Sequence, residues 1–269
     1  MYIYNKMKKY PLFVRIIALA LTTVFVLFSF VGCKGEEPES TPEATPNDLP
    51  AGAEPKKRVA LTFDDGPQHA NGEETKKIVD ELAKYGYTAT FFVVGNRIPG
   101  GDALSYAVSK GNEIGIHGYT HNNYYDTCND SIYEQEISKT LSAIQKQIPN
   151  YEVKLMRPVG GRITEERAAS SPYSIILWNI DSDDWNNRYM SGDSDEVNQE
   201  KINTIINNVM SRVSDGDIIL MHDIWSNTYE ATKIILEQLN AQGYEVVTVS
   251  ELIGDGLAPG KTYTHLVAQ

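Results

Sequence analysis

Between residues 57 and 254 two rhythms of apolar residues alternate. The first is short. In Arg58–Phe63, Val59, Leu61 and Phe63 alternate with Arg58, Ala60 and Thr62, the two-residue period of a β-strand. Further strands are predicted at Thr88–Val94, Glu113–His117, Lys154–Arg157, Ser174–Leu177, Asp217–Met221 and Glu245–Val249. The second rhythm is helical. Glu73–Tyr85 puts Ile78, Val79, Leu82 and Tyr85 on one face, and Glu200–Val213 does the same with Ile202, Ile205, Ile206, Val209 and Val213. Helices are also predicted at Ala103–Lys110, at Thr228–Gln242 ending at Gly243, and from a capping box at Ser131–Glu134 to Gln147. Near-continuous apolar strands separated by amphipathic helices imply a parallel sheet covered on both faces. A doubly wound sheet and a (β/α) barrel both satisfy this, and in both the chemistry gathers at the C-terminal ends of the strands.

The flanks read differently. Lys6, Lys8, Lys9 and Arg15 precede an apolar run from Ile16 to Val31, the layout of a signal peptide over residues 1–32. The run ends in Phe30-Val31-Gly32-Cys33, which resembles a bacterial lipobox and makes Cys33 the expected lipid attachment site. An uncleaved apolar anchor is the alternative. Residues 33–56 are rich in Pro, Glu, Thr and Ala and read as a tether without a core. Residues 255–269 read as a C-terminal tail. The chain has two cysteines, Cys33 and Cys128, so a lipidated Cys33 leaves no disulfide framework. Residues 1–32 hold four basic and no acidic groups, so their removal takes the formal charge from −12 to −16. Such a surface argues against nucleic acid and against electrostatic attachment to anionic lipid.

Strand ends collect polar residues. Asp64 and Asp65 follow the first strand and lead into a Gly66–Pro67 turn; His117 ends the third, with His121 four residues on. On a helical turn the two imidazoles would share a face, and two histidines plus a carboxylate give three ligands with room left for water. Arg157 ends another strand, Asp181 and Asp184 follow the strand ending near Trp178, and His222 follows Ile218–Met221. The set together points to a metal-dependent hydrolase.

These motifs resemble those of the polysaccharide deacetylase family, the NodB-homology domain of carbohydrate esterase family four, over about residues 57–254. TFDDGP stands complete at Thr62–Pro67, and Asp-x-x-Asp-Trp at Asp181–Trp185. The His-x-x-x-His motif is His117–His121, with Gly118 in place of a hydroxyl residue. The usual Arg-Pro-Pro-Tyr-Gly is Arg157-Pro158-Val159-Gly160-Gly161, and the last motif is Ile218–His222 with Leu220 at its centre. The resemblance implies a distorted (β/α) barrel of the TIM type. It implies a divalent metal on Asp65, His117 and His121, zinc first, with cobalt, manganese or nickel as alternatives. It also implies Asp64 as base, Arg157 orienting it, His222 as acid with Asp184 holding its imidazolium, and a backbone donor at Gly160. Trp185, Leu220, Trp225 and Tyr119 are expected to face substrate.

The function expected is hydrolysis of N-acetyl groups on a cell-surface glycan, N-acetylglucosamine of peptidoglycan foremost, by a membrane-anchored extracytoplasmic lipoprotein. Chitooligosaccharide or N-acetylmuramate deacetylation, acetylxylan esterase activity and an inactive sugar-binding module are the alternatives. The oligomeric state stays open, with a monomer favoured.

Overall fold

β1 (Lys57–Asp64) organises the sheet because it is paired along both edges. The computed structural model describes residues 56–68, 72–98 and 100–266, so the signal peptide, Cys33 and nearly all of the tether lie outside the described residues. One edge of β1 pairs with β7 (Ile218–His222). Elsewhere β1 pairs through its last residues with β2 (Thr90–Val93) and through its first with β8 (Tyr244–Val246). Outward from β2 come β3 (Glu113–Ile116), β4 (Leu155–Met156), β5 (Ser174–Ile176) and β9 (Thr262–Tyr263), and β6 (Ile180–Asp181) lies beyond β7. Every pairing between these strands is parallel. The sheet curls into the distorted barrel that the resemblance implied.

Among the described residues seven α-helices accompany the strands: α1 (Glu73–Lys84), α2 (Ala103–Ser109), α3 (Asp130–Gln147), α4 (Glu165–Ser170), α5 (Asp195–Met210), α6 (Ser226–Ala241) and α7 (Val249–Ile253). The two-residue period of the strands divides their side chains between two cores. Val59, Leu61, Phe63, Phe91, Val93, Met156, Ile175, Ile219 and Met221 join the larger cluster with the helical residues Ile78, Leu82, Ile205 and Leu236. Ala60, Phe92, Leu155, Ile176 and Ile218 form the smaller one inside the curl, floored by Val249, Leu252 and Ile253 of α7. Each large apolar side chain so buried contributes roughly 1.5–3 kcal/mol. The inner set in β1, β4 and β7 continues as Thr62, Asp64, Arg157, Leu220 and His222, so the alternation that builds the core also aims the polar residues inward.

Three expectations need correction. The cap of α3 is Asn129, whose side chain accepts from the Ile132 amide, rather than Ser131. The last predicted strand stops at Val246; Thr248 and Glu251 form a capping box that opens α7 at Val249. Nor is the stretch after residue 254 a free tail. Thr262 and Tyr263 pair with Ile175 and Ile176, and Asp217 bridges His265 antiparallel. Both the pairing and its brevity explain why two residues of strand left no readable period.

Candidate active site

A cavity of about 410 Å³ opens at the C-terminal ends of the strands. Asp64, Asp65, His117, His121 and His222 line it together with Gly160, Trp185, Leu220 and Trp225. Arg157 and Asp184 lie behind this lining, both fully buried.

Arg157 fills the barrel interior beneath Asp64. Its Nη1 donates to Asp64 Oδ1 at 2.8 Å and to Thr62 Oγ1 at 2.7 Å. Nε and Nη2 donate to the carbonyls of Ile176 and Leu177 at 3.1 and 3.0 Å. The guanidinium plane lies 4.3 Å from the Phe92 ring centroid and 5.5 Å from that of Trp178. A buried cation is tolerated because it is both paired and hydrogen-bonded. One oxygen of Asp64 is thereby fixed, and the other, Oδ2, lies 3.6 Å from His117 Nε2.

The expectation that His117 and His121 share a helical face is wrong in its route, though they do converge. His117 follows β3 directly, Gly118 takes a φ of 94°, and His121 itself sits at a φ of 62°. A loop, not a helix, brings the second imidazole back. Glu136 of α3 holds that loop, with Oε2 accepting from the amides of Tyr119 and Thr120 at 2.7 and 2.8 Å. Its Oε1 accepts from Thr120 Oγ1 at 2.7 Å and Asn123 Nδ2 at 3.1 Å. Burial works against ionisation of Glu136, but these donors outweigh it and hold its carboxyl below the ordinary value.

The ligand atoms of Asp65, His117 and His121 lie within 4.8 Å of one another. Asp65 has a φ of 78°, a left-handed conformation unusual for a residue with a side chain. Its Oδ1 is buried without a hydrogen bond of good geometry, although His121 Nε2 stands 3.0 Å away. His117 Nδ1 donates to the Arg157 carbonyl at 2.8 Å, which leaves Nε2 free toward the cavity. Burial pulls the His117 pKa down against the pull of Asp64 and Asp65, favouring the neutral imidazole that ligates metal. An orphaned carboxylate oxygen and two oriented imidazoles fit a divalent cation.

Across the cavity, His222 Nδ1 donates to Asp184 Oδ1 at 2.7 Å. Asp184 Oδ2 accepts from the His222 amide and from Thr228 Oγ1, both at 2.7 Å. Burial lowers the His222 pKa, but the Asp184 carboxylate outweighs it and lifts the value to about 9.

Trp185 is 47% exposed on the cavity wall, and Trp225 presents a buried Nε1–H that has no partner. Tyr119, expected at the site, is absent from this lining. Its ring packs at Gly95, with Lys139 Nζ 5.8 Å from its centroid. The left-handed Gly118 turns the chain before Tyr119, a reversal that residue spacing does not encode. Three contributors went unnoticed in the sequence. Trp178, two residues after β5, lines the cavity and was signalled only by its position near the strand end. Glu136 lies within a helix. Asp223, buried beside His222, accepts from Thr75 Oγ1 and packs where a Cβ on Gly66 would stand, which is why the turn after the two aspartates needs glycine.

A parallel barrel with an Asp-His-His triad, an Arg-Asp pair and an Asp-His pair at one mouth defines a class of hydrolase-like sites. Residues 51–172 match the polysaccharide deacetylase family. The peptidoglycan-N-acetylmuramic acid deacetylase of Bacillus subtilis is 36% identical over 200 residues, 73% of this chain and 39% of the relative. A solved structure of that enzyme superposes with a TM-score of 0.64 at 35% identity, covering 73% of this chain and 90% of the solved one. A peptidoglycan-N-acetylglucosamine deacetylase of Bacillus cereus is 34% identical over 207 residues, 74% of this chain and 89% of the relative. A family 4 acetyl xylan esterase from Clostridium thermocellum, solved in complex with a cobalt ion, gives a TM-score of 0.66 at 28% identity. It is covered completely by 79% of this chain. The chain belongs to the polysaccharide deacetylase family. It spans about two fifths of the length of the B. subtilis relative.

Proposed function

We propose that this protein is a metal-dependent N-deacetylase of a cell-surface glycan, acting on N-acetylglucosamine residues of peptidoglycan. The observation that carries the reading is the placement of a carboxylate, Asp64, and an imidazole, His222, in one cavity with the Asp65–His117–His121 triad. A pure binding module needs neither group. When bound to that triad, a divalent cation supplies Lewis-acid polarisation of a carbonyl and acidifies water.

The chain's own residues account for the rest. Arg157 occupies Asp64 Oδ1, leaving Oδ2 to accept a proton from the attacking water. The Gly160 amide is the backbone donor toward the oxygen on which charge develops. As the C–N bond breaks, His222 Nε2 gives its proton to the departing amine, acetate is released, and Asp184 stabilises the imidazolium through Nδ1. Trp185, Leu220 and Trp225 form the wall against the sugar, and the unpartnered Trp225 Nε1–H is a ready donor for a sugar oxygen.

Both Bacillus relatives are named for peptidoglycan, which supports that glycan as substrate, and the B. subtilis enzyme's name favours N-acetylmuramate as a second acceptor. The lipobox at Cys33 supports membrane attachment outside the cytoplasm. Acetate release measured side by side on peptidoglycan, chitin oligomers and acetylated xylan tests the reading. Release from peptidoglycan is expected to dominate, to stop on chelation and to return with Zn²⁺, Co²⁺ or Mn²⁺. Asp64→Asn is expected to keep its metal yet lose ~10²–10⁴-fold in turnover. Near-native turnover in that variant, or no acetate from any glycan, overturns the proposal.

A further inference from the structure

Gly160 adopts a φ of 60°, and a Cβ built on it would stand 3.2 Å from Tyr124 Cε1 and 3.7 Å from Cδ1. Tyr124 comes from the loop between β3 and α3, three residues after His121, and lines the same cavity while remaining 44% exposed. Its ring is not loose. The Arg162 guanidinium lies 4.2 Å from its centroid, and Arg162 Nε is in turn fixed by Asp126 Oδ2 at 2.9 Å. The backbone on which it rides is pinned as well. The Tyr125 amide donates to the Arg162 carbonyl at 3.0 Å, Tyr125 forms a parallel bridge with Ile163, and the Tyr125 side chain is fully buried.

A side chain at position 160 would be strained by its backbone and would press on this ring, so glycine at 160 and tyrosine at 124 act as a matched pair. A half-exposed aromatic held in place at the mouth of a cavity offers its face to whatever enters. The apolar C–H face of a pyranose is complementary to it, because it covers the ring while its hydroxyls stay in water.

We propose that Tyr124, seated over Gly160 and backed by the Arg162 guanidinium, is the platform on which a hexosamine ring of the glycan stacks. It is thus a specificity-determining residue. The inference rests on the glycan reading above and assigns a contact that reading does not contain. It also has a chemical corollary: the phenol hydroxyl is dispensable and the ring is not.

Calorimetric titration with tetra-N-acetylchitotetraose, in the Asp64→Asn background to prevent turnover, tests this directly. Tyr124→Ala is expected to weaken binding about ten-fold, and Tyr124→Phe to restore it to within about two-fold. Arg162→Ala leaves residues 121–124 untouched and is expected to weaken binding about three-fold by releasing the ring. In the otherwise wild-type enzyme the Tyr124→Ala effect is expected to fall more on KM than on kcat. Equal affinity in the Asp64→Asn protein with and without Tyr124→Ala overturns the platform while leaving the deacetylase reading intact. A wild type that releases no acetate from any glycan overturns that reading instead, and the titration still decides the platform because binding does not require turnover.

Discussion

Asp184 shows how completely one carboxylate can be committed to a neighbour. All three of its short contacts run to His222 or to Thr228, and none reaches the cavity. Its effect on His222 has a definite sign. Burial alone would lower the histidine's pKa; the buried carboxylate reverses this and raises it to about 9. The acid form is therefore present through neutral pH and is lost as pH rises through about 9. In a pH profile of kcat/KM the alkaline limb is expected there, and Asp184→Asn is expected to move it to lower pH because burial remains while the opposing charge is gone. An unmoved limb removes Asp184 from this role. Residues of this kind were legible in the sequence because strand ends announce themselves. Asp64, Arg157 and His222 each follow a short apolar run, and the two-residue period carries them inward. Tyr119 was misjudged for the opposite reason: it follows a glycine whose φ of 94° resets the direction of the chain.

The loop from His117 to Asn123 behaves as a unit because a single buried carboxylate gathers it. Glu136 accepts two backbone amides, a hydroxyl and a carboxamide from that loop, and thereby sets the position of His121 relative to Asp65. Glu136→Gln keeps the size of the side chain but turns one acceptor into a donor facing other donors. Zinc affinity measured by chelator competition is expected to fall about ten-fold or more, with the far-UV circular dichroism unchanged. Unaltered affinity would mean that the loop is held by its own turn geometry. Nothing in the sequence marks Glu136, which sits in α3 among Tyr133, Gln135 and Ser138 on what reads as an ordinary polar helix. Elements with strong periods, such as α1 and β7, were predicted within one residue at most boundaries. Of the two-residue strands, β4 falls within the predicted Lys154–Arg157, whereas β6 and β9 were not predicted.

At the scale of the whole molecule, a basic–apolar segment, a proline-spaced stretch and an acidic domain follow one another along the chain. A net charge of −12 gives the chain no electrostatic hold on an anionic membrane, so any retention there would depend on the apolar N-terminal segment. Cys33→Ala is expected to release the protein into the soluble fraction on cell fractionation; retention of the variant would assign the anchor to the apolar run itself. The barrel has its own dependence on distant parts of the chain. The Leu266 amide donates to the Gly216 carbonyl at 2.7 Å, His265 bridges Asp217, and Thr262–Tyr263 covers the rim of β5. Residues 262–266 thus fasten the start of β7, the strand that bears His222. A chain cut before residue 262 would leave this seam unlatched, with the backbone edge of β5 bare and prone to pair with a neighbour.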